Sequence, residues 1–482
     1  MWYNKKSMDM IINSIATIGA NPLSAGLFLL KFIGIPFLLI GLIVGAKVMW
    51  LVSRQNKYAE TLKYTLLAID IPKENEQSPK AVENMFDQIA GAHSTLGNWD
   101  KWVKGAFQAK FSFEIISIEG NVQFLIHTET RFRDLIEASI YAQYPDAEIT
   151  EVDDYADIAP TEFPSEDYKL WGAEFIESSN WVYPIQTYPF FEHSLSQEFK
   201  DPMAALMEIM SSLRKGENVW LQYVVTMEDY GWDSKSKKEI NKILGRSSGQ
   251  KKGFLDDIFY LFMGWIDELI DQIMGNPKVE ARSTTVEKKE LNMMNLTPGE
   301  QEMIKAIESK MSKTGFSVKM RLVYFAPKGI YSAPRCVSAT VGALKQFAGP
   351  FNGFKPESKH TRTKDFLVYN EKRLAKRQRN IINAFKQRSN SLGVANGFIL
   401  NSEELATIFH FPVSTAVSAQ LVKKVESKKG EAPGNIPRTV DIPVEKSLEV
   451  AEEEELMEAF STDEFKEQEG ESKDPPENLP IA

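Results

Sequence analysis

A long apolar segment stands near the start of the chain. Residues 32–52 carry a single charge, Lys47, in 21 positions. A helix of this length rises roughly 30 Å, which matches the hydrocarbon core of a bilayer. The pattern therefore predicts one transmembrane helix within residues 22–54. The side chains expected to anchor it in lipid are Phe32, Ile35, Phe37, Leu38, Leu39, Ile40, Leu42, Ile43, Val44 and, at the interface, Trp50.

A cleaved signal peptide is the competing interpretation of this segment. Its apolar region is normally about 7–15 residues long and precedes a small-x-small cleavage site, whereas this segment runs into VSRQNKYAETLK without one. Arg54, Lys57 and Lys63 follow the span while Lys31 precedes it, which favours a cytoplasmic location for the C-terminal bulk. Residues 1–21 form a separate segment that is amphipathic if it is helical at all.

Residues 58–155 alternate between strand and helix patterns. Strands are predicted at 65–72, 107–115, 122–128 and 147–155, with helices at 79–93 and 130–144. The order βαββαβ is typical of a ferredoxin-like fold with two helices on one sheet face. The strict alternation of residues 107–115 predicts that the other face of that strand is exposed to water.

A second ferredoxin-like α+β unit is predicted over residues 219–370. Residues 156–218 are rich in aromatics and proline and are interpreted as an ordered connector. The second unit starts with a strand at 219–227, closes with a strand near 366–370, and carries an insertion at 230–297. Within the insertion, residues 253–275 are predicted to form an amphipathic helix with acidic residues on its polar face. A core or oligomer contact is favoured for it over the membrane surface.

Residues 371–420 combine a basic helix with a capped helix. The basic helix has an apolar stripe of Leu374, Ile381, Ile382 and Phe385. The alternatives for such a helix are that it binds the phosphates of nucleic acid, faces anionic lipid, binds the chain's own acidic tail, or is a solvated helix face. The candidate phosphate or partner contacts are Lys372, Arg373, Lys376, Arg377, Arg379, Lys386 and Arg388.

Charge and composition set the remaining limits. Residues 440–482 hold 15 acids against three lysines, so the net charge of −10 is concentrated there and the rest sums to +2. Residues 421–482 are therefore predicted to be an acidic, disordered tail. The single cysteine, Cys336, excludes an internal disulfide, and no phosphate-binding loop or HExxH motif occurs. No cofactor, metal or catalytic residue is predicted: residues 245–249 match GxSxG only by chance, and His127 is interpreted as structural.

The capped segment FILNSEELATIFHFP, residues 398–412, carries a resemblance to a known family. It resembles the segment that leads into the ATPase domain of bacterial type IV secretion and conjugation-type DNA-translocating ATPases of the HerA/FtsK-like superfamily. Residues 66–93, 111–155 and 297–357 look similar to the membrane-anchored N-terminal half of those proteins.

The resemblance covers roughly residues 60–420 without the insertion, and no phosphate-binding loop follows it. It implies a non-enzymatic, single-pass scaffold or adaptor of the bacterial inner membrane that forms homo-oligomers and docks a separate ATPase. The alternative is a membrane-tethered nucleic-acid-binding module that uses residues 371–388.

Overall fold

The computed structural model describes residues 31–413, apart from 32–33, 73–74, 192–199, 229–230, 245–295, 365–369 and 395–396. Several predicted segments lie outside the described residues: the N-terminal segment 1–21, the GxSxG match, the insertion helix and the acidic tail. Of the closing strand predicted at 366–370, only Asn370 is described, and it begins a helix.

The first helix, α1 (Ile35–Ala59), carries the predicted membrane segment. Pro36 sits in its first turn, where a missing N–H costs nothing. The described anchor residues all lie on α1 with 47–75% of each side chain exposed, and Phe32 is not described. Among the described helices, α1 alone is long and apolar enough to cross a membrane, as an anchor or as a signal sequence.

The described strands form one antiparallel sheet of nine strands. The order across it is β4-β1-β3-β2-β6-β7-β5-β8, and β9 pairs with the beginning of β7. The strands are β1 (Tyr64–Asp70), β2 (Lys110–Ile118), β3 (Asn121–Glu129), β4 (Glu148–Glu151), β5 (Tyr168–Glu177), β6 (Asn218–Met227), β7 (Gly315–Pro327), β8 (Phe354–Pro356) and β9 (Phe398–Asn401).

Eight further helices accompany the sheet in the described part of the chain. They are α2 (Pro79–Ile89), α3 (Arg133–Tyr141), α4 (Ala204–Ser211), α5 (Ser234–Ile243), α6 (Pro298–Met311), α7 (Ala339–Leu344), α8 (Asn370–Lys386) and α9 (Ser402–Ile408). The capped helix predicted within residues 371–420 is α9, where Asn401 and Glu404 form a capping box and each accepts the other's backbone N–H. Shorter helical turns fill several connections, including Asp100–Lys104.

Apart from β9, the sheet consists of two sets of four strands joined at β2 and β6. These strands pair antiparallel from Lys110 opposite Thr226 to Ile118 opposite Asn218. When the strands are numbered in chain order within each set, those of the first set lie side by side in the order fourth, first, third, second. The strands of the other set have the same order when they are counted from the opposite edge of the sheet. The structure thus differs from the predicted boundary: the second set starts at β5, inside the segment interpreted as a connector, and α4 also lies there.

The prediction of a water-exposed face on β2 is wrong. Ser112 and Glu114 are as deeply buried as their apolar neighbours, at 1% and 0% exposure. One face carries the larger apolar cluster with Phe86 and Phe113. A second cluster on the other face joins Trp220 to Phe385 of α8. The reason for the error is that α8, distant in sequence, covers this face.

Candidate functional site: the basic helix and the charges beneath it

Helix α8 lies on the sheet by its apolar stripe. Of the predicted stripe, Ile381, Ile382 and Phe385 are at most 3% exposed and Leu374 is half-buried, while Ala375 beside it is 4% exposed. Phe385 packs against Trp220 with ring centroids 5.6 Å apart. The Gln378 amide donates to the Leu170 carbonyl at 2.9 Å and ties the helix to β5. The predicted apolar face is therefore the attachment face of α8.

The seven basic residues proposed as phosphate contacts divide into three groups. Four are exposed, two are half-buried, and one is buried. They are, in that order, Lys372, Arg373, Lys376 and Arg379; Arg377 and Lys386; and Arg388. Helical spacing places residues 372, 376 and 379 on one face. A basic stripe is thus retained, but with fewer members than the sequence suggested.

Arg377 is engaged with a neighbouring turn. Its guanidinium donates to the carbonyls of Arg362 at 2.7 Å and Ser358 at 3.4 Å, and also to that of Lys359. The same turn is closed by Glu357, whose carboxylate accepts three backbone N–H groups from residues 359–361. Arg377 therefore fixes the turn to α8.

Arg388 points into the protein and is 3% exposed. Its guanidinium donates to Glu114 at 3.0 and 3.3 Å and to Asp154 at 2.9 Å. Glu114 also accepts from Tyr155 at 2.8 Å and Gln222 at 2.9 Å. A buried charge is tolerated only with such partners, so the prediction that Arg388 contacts phosphate is wrong.

The protonation states of Glu114, Arg388 and the nearby His127 follow from their surroundings. Burial alone would raise the pKa of Glu114, but Arg388 holds that pKa below its usual value. Burial would lower the pKa of Arg388, and Glu114 and Asp154 raise it. His127 stacks on Tyr64 with centroids 4.9 Å apart. Burial and then Arg388 lower the pKa of His127 to about 4, so it is neutral at pH 7.

A second buried arginine holds the loop that follows α8. Arg321 donates to Glu174 at 2.8 Å and also to the carbonyls of Ser389 and Leu392. Glu174 in turn accepts the Val394 N–H at 2.5 Å. Gly393, between Leu392 and Val394, has φ +92°, and a Cβ there would collide with the Glu174 carboxylate. The loop is thus bound to charges in the middle of the sheet.

A third charged cluster, which the sequence did not indicate, lies under α9. Lys310 of α6 and Glu404 of α9 are 3.0 Å apart and both side chains are fully buried. Lys310 also donates to the Trp181 carbonyl at 2.6 Å. Glu177, 8% exposed, has no hydrogen-bond partner among the described residues for either carboxyl oxygen. Burial, partly offset by Lys310 and reinforced by Glu404, raises the pKa of Glu177 to about 8.

Replacing Glu177 with glutamine is expected to stabilise the protein at pH 8–9. The raised pKa means that the folded state binds a proton between about pH 4.5 and 8 that the unfolded state releases. Stability therefore falls as pH rises through this window in the wild type, and the Glu177→Gln variant loses that dependence. Denaturant unfolding at pH 5 and pH 9 measures it. A wild type equally stable at both pH values, with no gain from the substitution at pH 9, contradicts this protonation state.

The last described residues are fixed to both sets of strands. β9 pairs with β7, while the Phe409 ring lies 5.2–6.3 Å from the rings of Phe113 and Phe124 on strands of the first set and of Phe86 on α2. The two ring nitrogens of His410 lie 2.9 Å from the Ala406 carbonyl and 3.0 Å from Asp201. The segment 398–413 therefore acts as a clasp between the two halves of the sheet.

The missed site residues share one sequence signal. Glu114 and Glu174 each interrupt a strand whose other residues are mostly apolar, and a carboxylate at such a position is buried when both sheet faces are covered. Within the part of the chain that the structure describes, His, Cys, Asp and Glu form no group of three that could hold a metal ion. The buried Cys336 thiol lies 3.5 Å from Glu217.

Comparison with known protein families gives a match. A search of curated proteins found none that matches the sequence. A family model described as "Domain of unknown function (DUF8128)" matches residues 55–423. The match begins in the last turns of α1 and includes every strand of the sheet. Since it covers well over half of the 482 residues, the chain belongs to the DUF8128 family.

Proposed function

We propose that this protein is a non-enzymatic, membrane-anchored scaffold or adaptor of a type IV secretion-like apparatus. The observation that carries the proposal is the way α1 joins the body, which is the sheet with the helices and turns packed on it. The apolar side chains of α1 are exposed, while near its end Trp50 and Arg54 donate to the carbonyls of Trp102 and Val103 at 3.0 and 2.5 Å. A helix whose apolar side chains are exposed, and which is hydrogen-bonded to the body near one end, is suited to be a membrane anchor.

The strand order supports two ferredoxin-like units within the body. In each set the fourth, first, third and second strands are adjacent, as the βαββαβ arrangement requires. Helices α2 and α3 contribute Phe86 and Ile140 to the same apolar cluster, which supports their packing on one face. This fold alone does not define an activity. The adaptor role rests on the sequence resemblance and on the anchor.

The clasp supports the link to translocation ATPases. In the resembling proteins the corresponding segment leads into the ATPase domain, and here residues 398–413 are fixed between the two halves of the body. The acidic residues beyond position 440 would attract a basic partner surface by charge complementarity. We propose a separate ATPase as that partner, a homo-oligomeric scaffold, and a bacterial inner-membrane location with the body in the cytoplasm.

Isolation of the full-length chain from native membranes in mild detergent tests the adaptor role. The scaffold is expected to copurify with an ATPase, and replacing Glu452–Glu455 with glutamine is expected to weaken that association. The chain purified to homogeneity is expected not to hydrolyse ATP. ATP hydrolysis by the purified chain itself, or the absence of any ATPase from the isolate, argues against the proposal.

Nucleic-acid binding is the second candidate function, because Lys372, Lys376 and Arg379 remain exposed on one face of α8. Replacing all three with glutamine is expected to lower DNA affinity and to reduce the slope of log affinity against log salt by about 2–3. Fluorescence anisotropy of labelled duplex DNA with detergent-solubilised protein measures both. The matched control replaces Lys237, Lys238 and Lys242 on α5. Equal losses in both variants, or no DNA binding at all, eliminate this function for α8.

A further inference from the structure

A short segment beside the end of α1 exposes two tryptophans. Residues 98–104, here named the Trp loop, contain the helical turn Asp100–Lys104. Trp99 is 67% exposed and Trp102 is 39% exposed. Indole rings combine a large apolar area with one N–H, and they concentrate at membrane–water interfaces. Two exposed indoles on neighbouring turns therefore need an explanation other than packing within this chain.

The Trp loop is fixed to α1. The Trp50 indole N–H donates to the Trp102 carbonyl at 3.0 Å, and Arg54 donates to the Val103 carbonyl at 2.5 Å. Gly105, with φ +79°, follows the loop directly, and a Cβ at this position would collide with the backbone of Arg54. The position of the loop along the axis of α1 is therefore set by direct contacts.

That position is the end of the apolar part of α1. Exposed apolar side chains run from Ile35 to Val52, and Trp50 lies about 22 Å along the helix from Ile35. Arg54 and Lys57 follow within two turns. If α1 spans the bilayer, Trp50 lies at the headgroup level of one leaflet, and the Trp loop, bonded to it, lies at the same level.

The charges of the Trp loop suit this location. Lys101 and Lys104 are exposed, and Lys104 pairs with Asp100 at 2.8 Å. Lys101 is thus placed beside the indoles to meet lipid phosphates, as lysines flanking membrane segments do. Lysine and tryptophan together are typical of interfacial anchors.

We propose that the Trp loop is a second membrane contact, in which Trp99 and Trp102 enter the headgroup region of the leaflet where α1 ends. The proposal rests on the anchoring role of α1. It gives the body a fixed orientation. The sheet end with Tyr64 and Lys110 faces the membrane, and the hairpin turn at Asn121 faces away. Strand β2 alone separates these ends by about 26 Å.

Spin labels at two matched asparagines test this contact in the full-length chain. Cys336, the sole cysteine, is replaced by alanine, and cysteine is introduced at Asn98 of the Trp loop or at Asn121 of the distant turn; both positions are exposed. The protein is reconstituted into phosphatidylcholine–phosphatidylglycerol vesicles. Accessibility to oxygen and to a water-soluble nickel chelate is measured by power-saturation EPR. We expect a several-fold higher oxygen-to-nickel ratio at Asn98 than at Asn121.

A second variant separates the loop from the anchor. With Trp99 and Trp102 both replaced by serine, the protein is expected to stay in the vesicles while the label at Asn98 becomes as water-accessible as that at Asn121. Equal, aqueous accessibility at both sites in vesicle-bound protein that retains both tryptophans overturns the Trp-loop contact and leaves the anchor intact. A label at Asn98 shielded from both reagents indicates a protein partner or a second copy and also overturns it. Failure to insert into vesicles overturns the anchor as well.

Discussion

Replacing Arg388 with glutamine is expected to destabilise the body by about 3–5 kcal/mol, the usual cost of removing one partner of a buried ion pair. The substitution leaves Glu114 fully buried without its charged partner and removes the bonds to Asp154. Urea unfolding in mild detergent, followed by tryptophan fluorescence, measures the change. Trp220 packs against Tyr155 and α8, so its signal reports this region.

Arg379 provides the matched control for Arg388. It lies on the same basic helix but is exposed, and Arg379→Gln is expected to leave the unfolding midpoint unchanged. Adding Glu114→Gln to Arg388→Gln is expected to recover part of the loss, because the buried charge is then removed. Similar stability of the Arg388 and Arg379 variants contradicts the inward role of Arg388.

The ion pairs of Arg388 with Glu114 and Asp154 are expected to make the protein less stable in acid. The pKa values of Glu114 and Asp154 are lower in the folded protein than in the unfolded chain because of Arg388. Their contribution is therefore complete above about pH 5 and is lost as pH falls from there through the folded values. The Arg388→Gln variant is expected to show a smaller loss of stability in this acidic range than the wild type.

Replacing Lys310 with methionine is expected to have a comparably large effect, about 3–5 kcal/mol. Glu404 keeps its bonds to backbone N–H groups of Ile185 and Asn401 but loses its only described cationic partner. Glu177, whose pKa is already raised, loses the one cation among the described residues that favours its ionised form. The cost is expected to be larger at pH 9 than at pH 5, and denaturant unfolding at both pH values measures it.

Lys305 is the control for this substitution, since it lies on the same helix and is exposed. Lys305→Met is expected to leave stability unchanged at both pH values. Adding Glu177→Gln to Lys310→Met is expected to reduce the cost at pH 9. If Lys310→Met is tolerated as well as Lys305→Met, the buried pair does not hold α9 in place.

The local elements could be predicted from sequence because their signals are local. The heptad-like spacing of Val82, Met85, Phe86 and Ile89 and the cap at Asn401 specify α2 and α9 without reference to distant residues. β5 was missed because it lies among prolines and aromatics that are typical of irregular segments. Its pairing with β7, about 150 residues later, has no local signal.

The candidate site was harder to predict for a related reason. The basic helix and its apolar stripe are visible in the sequence, but the inward direction of Arg388 depends on Glu114, which lies 274 residues away. The burial of both sheet faces likewise depends on where α8 packs. Periodicity identifies which residues share a face, and only tertiary structure decides whether that face meets water or charge.

Membrane extraction of the full-length protein tests the central claim most directly. The protein is expected to remain in the membrane pellet after alkaline carbonate treatment. A variant with Leu39 and Ile43 both replaced by lysine is expected to move from the membrane pellet to the soluble fraction, since each charge costs about 2.5–3.5 kcal/mol at the centre of a spanning helix. A wild-type protein that appears at full length in the soluble fraction, with the lysine variant distributed identically, contradicts the anchor.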